Sequence, residues 1–216
     1  MKRLFTVAAA FCLLISARCA LAQDVLREEL DTATIKKMAE YGQLINLIYN
    51  DEGELTHRMH AVVINAPLDT VWDVITDYQN YDRFVPEMMP PEIRSSDDES
   101  TVVDFTLKIR IIMGVSSTQK YATEYIKEKP VLHMRNPDDP ADKGGYWKLE
   151  PVEDGEKTLT FYFDPAPDLS KMGRLVEGIT KSKPEFRIAL QVSPVTILLN
   201  ETKAYVEKTA AGGETQ

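Results

Sequence analysis

The run Val62-Val63-Ile64-Asn65-Ala66-Pro67-Leu68-Asp69-Thr70-Val71-Trp72-Asp73-Val74-Ile75-Thr76-Asp77-Tyr78 decides the fold. It changes its periodicity part-way through. The β-branched start reads as a strand. Pro67 suits the first helical position, where a missing N–H costs nothing, and Asp69 suits the positive end of the helix dipole. Leu68, Val71, Trp72 and Ile75 then recur at helical spacing and mark a face to be buried.

Upstream, His57 to Asn65 alternates and Gln43 to Tyr49 is β-like. Asn50-Asp51-Glu52-Gly53 between them is turn chemistry, so the two runs predict a hairpin. From Asp24 to Tyr41, Leu26, Leu30, Ile35, Met38 and Ala39 have the spacing of one or two short amphipathic helices, stopped at Gly42. Downstream, Asp77 to Pro91 reads as a linker rich in Tyr, Met and Pro, with Pro90-Pro91 forbidding regular structure. Ser95 to Ser100 reads as a turn. Val103, Phe105, Leu107, Ile109 and Ile111 then alternate with Asp104, Thr106, Lys108 and Arg110, the pattern of a strand with one covered face.

Further strands are predicted at Ser117 to Glu128, Val131 to Arg135, Gly145 to Pro151 and Thr158 to Phe163. The gaps between them are too short for parallel crossovers, so the sheet is an antiparallel meander. Asp168 to Lys181 returns to helical spacing through Leu169, Met172, Leu175, Val176 and Ile179. Ser193 and Pro194 then suit the cap and first residue of a final long helix. Its stripe runs through Val195, Leu198, Leu199, Thr202, Tyr205 and Val206.

A sheet with one apolar face and a helix with one apolar stripe must bury against each other. This α+β layout resembles the START-like (SRPBCC) helix-grip superfamily, in its polyketide-cyclase, lipid-transport and coenzyme Q-binding branches. The matching pieces are Ile64-Asn65-Ala66-Pro67 with Val71-Trp72, Thr76-Asp77-Tyr78 with Tyr81, Phe84 and Pro86, and Gly145-Tyr146-Trp147-Lys148-Leu149-Glu150-Pro151 followed by Lys157-Thr158. The resemblance implies a curved antiparallel sheet wrapped around the C-terminal helix, with a hydrophobic small molecule between them. On this reading residues 57–208 are the START-like domain, 23–56 an N-terminal helical and β extension, and 209–216 a flexible tail.

Residues 1–22 read as a secretory signal peptide. Lys2 and Arg3 precede an apolar stretch from Leu4 to Ile15, and Ala20-Leu21-Ala22 supplies small residues for cleavage near Ala22. That stretch is too short to span about 30 Å of hydrocarbon. The expected location is the periplasm or outside the cell. Both cysteines, Cys12 and Cys19, lie in the leader, so an exported chain has no disulfide and relies on its core. The whole chain carries a net charge of −9. Removing Lys2, Arg3 and Arg18 leaves 22 basic against 34 acidic residues, a net −12. Such a chain is repelled by phosphate backbones, and no nucleic-acid partner is expected.

The ligand-binding residues expected from these patterns are Trp72, Phe84, Met88, Phe105, Leu107, Ile109, Trp147, Leu149, Phe161, Phe163, Val195, Leu198 and Leu199. Trp72 and Trp147 also read as plain core, and Phe84 to Met89 reads equally as a lid or as a packed loop. His133, Arg135, Tyr121 and Tyr125 face inward or outward according to a one-residue choice of register. His57 and His60 point to opposite sides of one strand and make no chelating pair. No metal site, cofactor or nucleophile elbow is expected. Three functions stay open: a carrier with transient donor, acceptor or membrane contacts, a cyclase or aromatase using the same cavity, and an interaction module with a filled core.

Overall fold

The computed structural model describes residues 32–110, 116–169 and 174–212. The expected leader, the helical positions Leu26 and Leu30, and Ile111 and Met172 lie outside these residues. A first helix, α1, spans Thr32–Glu40. The predicted hairpin is formed by β1 (Leu44–Tyr49) and β2 (Leu55–Ile64). After Pro67, helix α2 (Leu68–Thr76) buries Val71, Val74 and Ile75. Pro67 is its N-cap rather than its first helical residue, one position from the expectation.

The strands β3 (Glu92–Ser96), β4 (Ser100–Arg110), β5 (Ser116–Glu128), β6 (Val131–Arg135), β7 (Gly145–Val152) and β8 (Lys157–Pro165) follow. All eight strands form one curved antiparallel sheet in the order β1-β2-β8-β7-β6-β5-β4-β3. Helix α3 (Arg174–Ser182) then precedes the long helix α4 (Pro184–Ala210). This is the expected helix-grip arrangement.

The structure departs from the sequence expectations in three elements. Asp77 to Pro91 is not an open linker, because Tyr78–Arg83 is a 3₁₀ helix with Tyr78 and Tyr81 buried. The Tyr81 hydroxyl donates to the Ile75 carbonyl at 2.7 Å and ties this turn to α2. Glu92 to Ser96 is an edge strand, so the turn shrinks to Asp97–Glu99. Helix α4 starts at Pro184, and Pro194 lies inside it. Ser193 does not cap; its hydroxyl donates back to the Ala189 carbonyl at 2.7 Å.

The stretch that decides the fold is also the hinge of its packing. The backbone N–H and side-chain amide of Asn65 donate to Glu207 Oε1 on α4 at 2.8 and 2.7 Å. Lys203 bridges the same carboxylate at 2.6 Å and the Val63 carbonyl at 2.6 Å. The Thr158 hydroxyl donates to the Ala66 carbonyl at 2.9 Å. Polar groups at the strand-to-helix corner thus fix α4 over the sheet. The fully buried Val71, Leu149, Leu199 and Val206 then form a core between the two layers.

Candidate ligand cavity

Register decides which side chains face α4, because residues paired directly across strands share a face. Leu132 pairs with Trp147, which pairs with Tyr162, which pairs with His60. On the other half of the sheet, Phe105 pairs with Tyr121 and Thr101 with Tyr125. These residues line the concave face. Tyr121 and Tyr125 therefore point inward. His133 pairs with Tyr146 on the opposite face, where it is exposed and lies 3.5 Å from Glu128. Arg135 is exposed at the rim and is ion-paired with Glu124.

A cavity of about 390 Å³ lies between this face and α4, within the range of about 300–1,000 Å³ common for small-molecule sites. Of the residues expected to bind a ligand, Phe105, Leu107, Trp147, Met88, Val195 and Leu198 line it. Tyr81, Tyr121, Tyr125 and Tyr162 add a ring of aromatic wall. Phe105 stacks on Tyr121 at 5.4 Å, and Trp147 meets Tyr162 edge-on at 4.9 Å. Such pairs hold rings in fixed planes. Met88 reaches the wall because its loop is bridged to Leu107, with the Met89 N–H donating to the Thr106 carbonyl at 2.9 Å.

Other expected positions lie elsewhere. Leu149 and Leu199 are buried in the core beside the cavity. Trp72 packs on the outside of that core with Lys129 Nζ 5.7 Å from its ring, and Phe84 stacks on Tyr205 at 4.7 Å. Ile109 holds a concave register position opposite Ser117, but its side chain lies outside the described residues. Phe161 and Phe163 are corrected. Phe161 pairs with Lys148 and Phe163 with Tyr146, so both take the face away from α4. Phe163 stacks there on His57 at 5.2 Å.

One polar constellation in the wall was not anticipated. Arg58 on β2 and Asp164 on β8 face each other in register and both line the cavity. The guanidinium donates through Nε and Nη2 to the two carboxylate oxygens at 2.7 and 2.6 Å. Arg58 is only 6% exposed. Burial pushes the Asp164 carboxyl above its ordinary range, against the pull of Arg58 and of the Tyr162 hydroxyl. Gly145 permits the close approach of β7, since a Cβ there would meet the Phe163 carbonyl oxygen at 2.2 Å and Asp164 Cα at 3.0 Å. The sequence signal was the phase of β2, in which Arg58 shares the face of Val62 and Ile64.

His60 sits on that face too, fully buried, with Gln43 Nε2 at 3.0 Å from its Nδ1. Among the described residues no group of three or more His, Cys, Asp or Glu is placed to hold a metal ion. Among them, no helix is long and apolar enough to cross a membrane.

A family model described as polyketide cyclase / dehydrase and lipid transport matches residues 56–191. The chain belongs to this family. Among curated proteins no sequence matches it. The Zhui aromatase/cyclase from Streptomyces sp. R1128 is 21% identical, with a TM-score of 0.56 over 73% of this chain and 98% of that one. A STAR-related lipid transfer protein from Xanthomonas axonopodis is 17% identical, with a TM-score of 0.56 over 76% and 93%. Human StAR-related lipid transfer protein 5 is 16% identical, with a TM-score of 0.54 over 93% and 98%. At these identities the likeness is one of fold. Family membership carries hydrophobic-ligand binding, and the neighbours span both lipid transfer and cyclisation.

Proposed function

We propose that this protein is a periplasmic binding or carrier protein for a hydrophobic small molecule of lipid, quinone, sterol-like or polyketide-like kind. The observation that carries the reading is the cavity of about 390 Å³ between the sheet and α4, walled mainly by aromatic and aliphatic side chains. A filled interaction module would close that space. Affinity comes from desolvation, at roughly 25 cal/mol per Å² of apolar area buried. The expected leader supports the periplasmic assignment. Sequencing of exported protein is expected to find a mature N-terminus at or near Gln23; a mature chain that still carries Lys2 would overturn the export reading.

The cyclase or aromatase reading draws on one observation, the Arg58–Asp164 pair with Tyr162 in the cavity wall. Polar groups so placed are able to steer proton transfer. Native mass spectrometry and lipid extraction of protein from its own organism test the two readings. A carrier retains an unaltered apolar molecule and returns a polyketide-like probe unchanged. Turnover of that probe, lost in Asp164→Asn, would put the enzyme in its place.

A further inference from the structure

The Arg58–Asp164 pair leaves one strong donor unused. Asp164 occupies Nε and Nη2 of the guanidinium. The third nitrogen, Nη1, is buried and has no hydrogen-bond partner among the described residues. An orphaned charged N–H inside a protein is costly, and the cost is relieved when an acceptor arrives. Arg58 and Asp164 both belong to the cavity wall. The rest of the lining is mostly aromatic and aliphatic, through residues such as Tyr162, Trp147 and Pro165, and its other charged side chains are Arg135, paired with Glu124, and Asp142.

From this we infer that Arg58 Nη1 is a docking point for the oxygen of an uncharged ligand, a carbonyl or hydroxyl at the end of an apolar body. The inference rests on the ligand-binding reading above. The charge state of the ligand follows from the pair itself. Asp164 already neutralises the guanidinium, and Glu124 pairs with Arg135, the other cation of the lining, so the wall has no spare positive charge to compensate a buried carboxylate. An anionic head would sit beside Asp164 and be repelled by it in a medium of low dielectric. A ketone or hydroxyl accepts the hydrogen bond without that penalty. The bidentate clamp also fixes the plane of the guanidinium, so the direction of the Nη1 bond is set before the ligand enters.

The test uses displacement of the neutral dye N-phenyl-1-naphthylamine by a matched series of equal chain length: dodecane, 2-dodecanone, 1-dodecanol and dodecanoate. The ratio of ketone to hydrocarbon affinity is measured in the parent and in the double variant Arg58→Met/Asp164→Leu. Removing both charges together leaves no lone buried ion. Comparing ratios cancels the hydration of the ligands. The ratio is expected to fall about tenfold or more in the variant, the size of a hydrogen bond to a charged donor. In the parent, dodecanoate is expected to bind more weakly than the ketone. Should the double variant fail to fold, Arg58→Lys serves, because it keeps the charge and loses the fork. Equal ratios in parent and variant, with the dye still bound, would overturn the docking point and leave the carrier reading intact. Preference for dodecanoate would overturn the uncharged class. Failure of the parent to bind the dye would remove the carrier reading and the inference with it.

Discussion

At His60, burial and charge act in the same direction. Desolvation first, and the neighbouring Arg58 second, lower its pKa from 6.5 to about 4. The unfolded chain binds a proton near the ordinary value, and the folded chain refuses it until about pH 4. Stability contributed by the neutral ring is therefore complete above pH 6.5 and is lost as pH falls toward 4. Between pH 7.5 and 4.5 the loss is on the order of 2–3 kcal/mol. Urea titrations of the parent and His60→Gln at both pH values check this, since shared carboxylate effects cancel. The parent should lose that much more than the variant, and equal losses would show that His60 excludes no proton. That His57 and His60 take opposite faces was legible from the alternation alone. The phase of Phe161 was not, because β8 buries large groups on both sides: Leu159 and Phe161 on one, Tyr162 and the threonines on the other. Hydrophobicity then names no inner face, and a one-residue slip exchanges them. Arg58 was hidden for another reason. Its partner Asp164 is 106 residues away and meets it only through the register of β2 with β8.

Among the elements, α4 departs most from its sequence pattern. The sequence pattern placed its start at Ser193 and Pro194, and the helix instead begins at Pro184. Lys183 is extended, Pro184 stands at the N-terminus and Glu185 occupies the first turn. Continuing the helix through Pro194 removes the N–H that would bond the Leu190 carbonyl. In return, the extra turns bring Leu190 to the cavity and bury Gln191, whose amide donates to the Pro167 carbonyl at 3.4 Å. A proline inside a helix costs about 3 kcal/mol relative to alanine. Pro194→Ala should therefore raise stability by at least about 1 kcal/mol in urea denaturation. An unchanged or lower stability would mean that the fold needs the break at this position. Most of the meander was legible because β4 alternates cleanly and turn residues bound its neighbours. β3 was not, since Glu92-Ile93-Arg94-Ser95-Ser96 has one apolar residue. Charge helps to hold this edge, with Arg94 bridging Asp104 at 2.6 Å and Asp138 at 2.8 Å.

For the molecule as a whole, the deciding question is whether the interior is meant to be filled by its own side chains. The sheet curves around α4, and the two layers meet at the Asn65–Glu207 corner and in the core beside it. Toward Leu107 and Leu198 the layers part and leave the cavity. If that space belongs to a ligand, an added ring there displaces nothing. Leu107→Trp should then cost less than the roughly 1–3 kcal/mol that overpacking costs a close-packed core. The two proteins should separate when a ligand is added. At a free concentration of 100 times Kd, a bound apolar molecule stabilises the folded state by about 2.7 kcal/mol. For a chain of this size that raises Tm by roughly 5–10 °C. The parent should show this rise with a dodecyl ketone, and Leu107→Trp should show little of it, because the indole occupies the same volume. Paired urea titrations and thermal scans with and without ligand measure both effects. Strong destabilisation by Leu107→Trp, together with no ligand-dependent rise in the parent, would mean that the layers close in solution and that the protein acts through its surface.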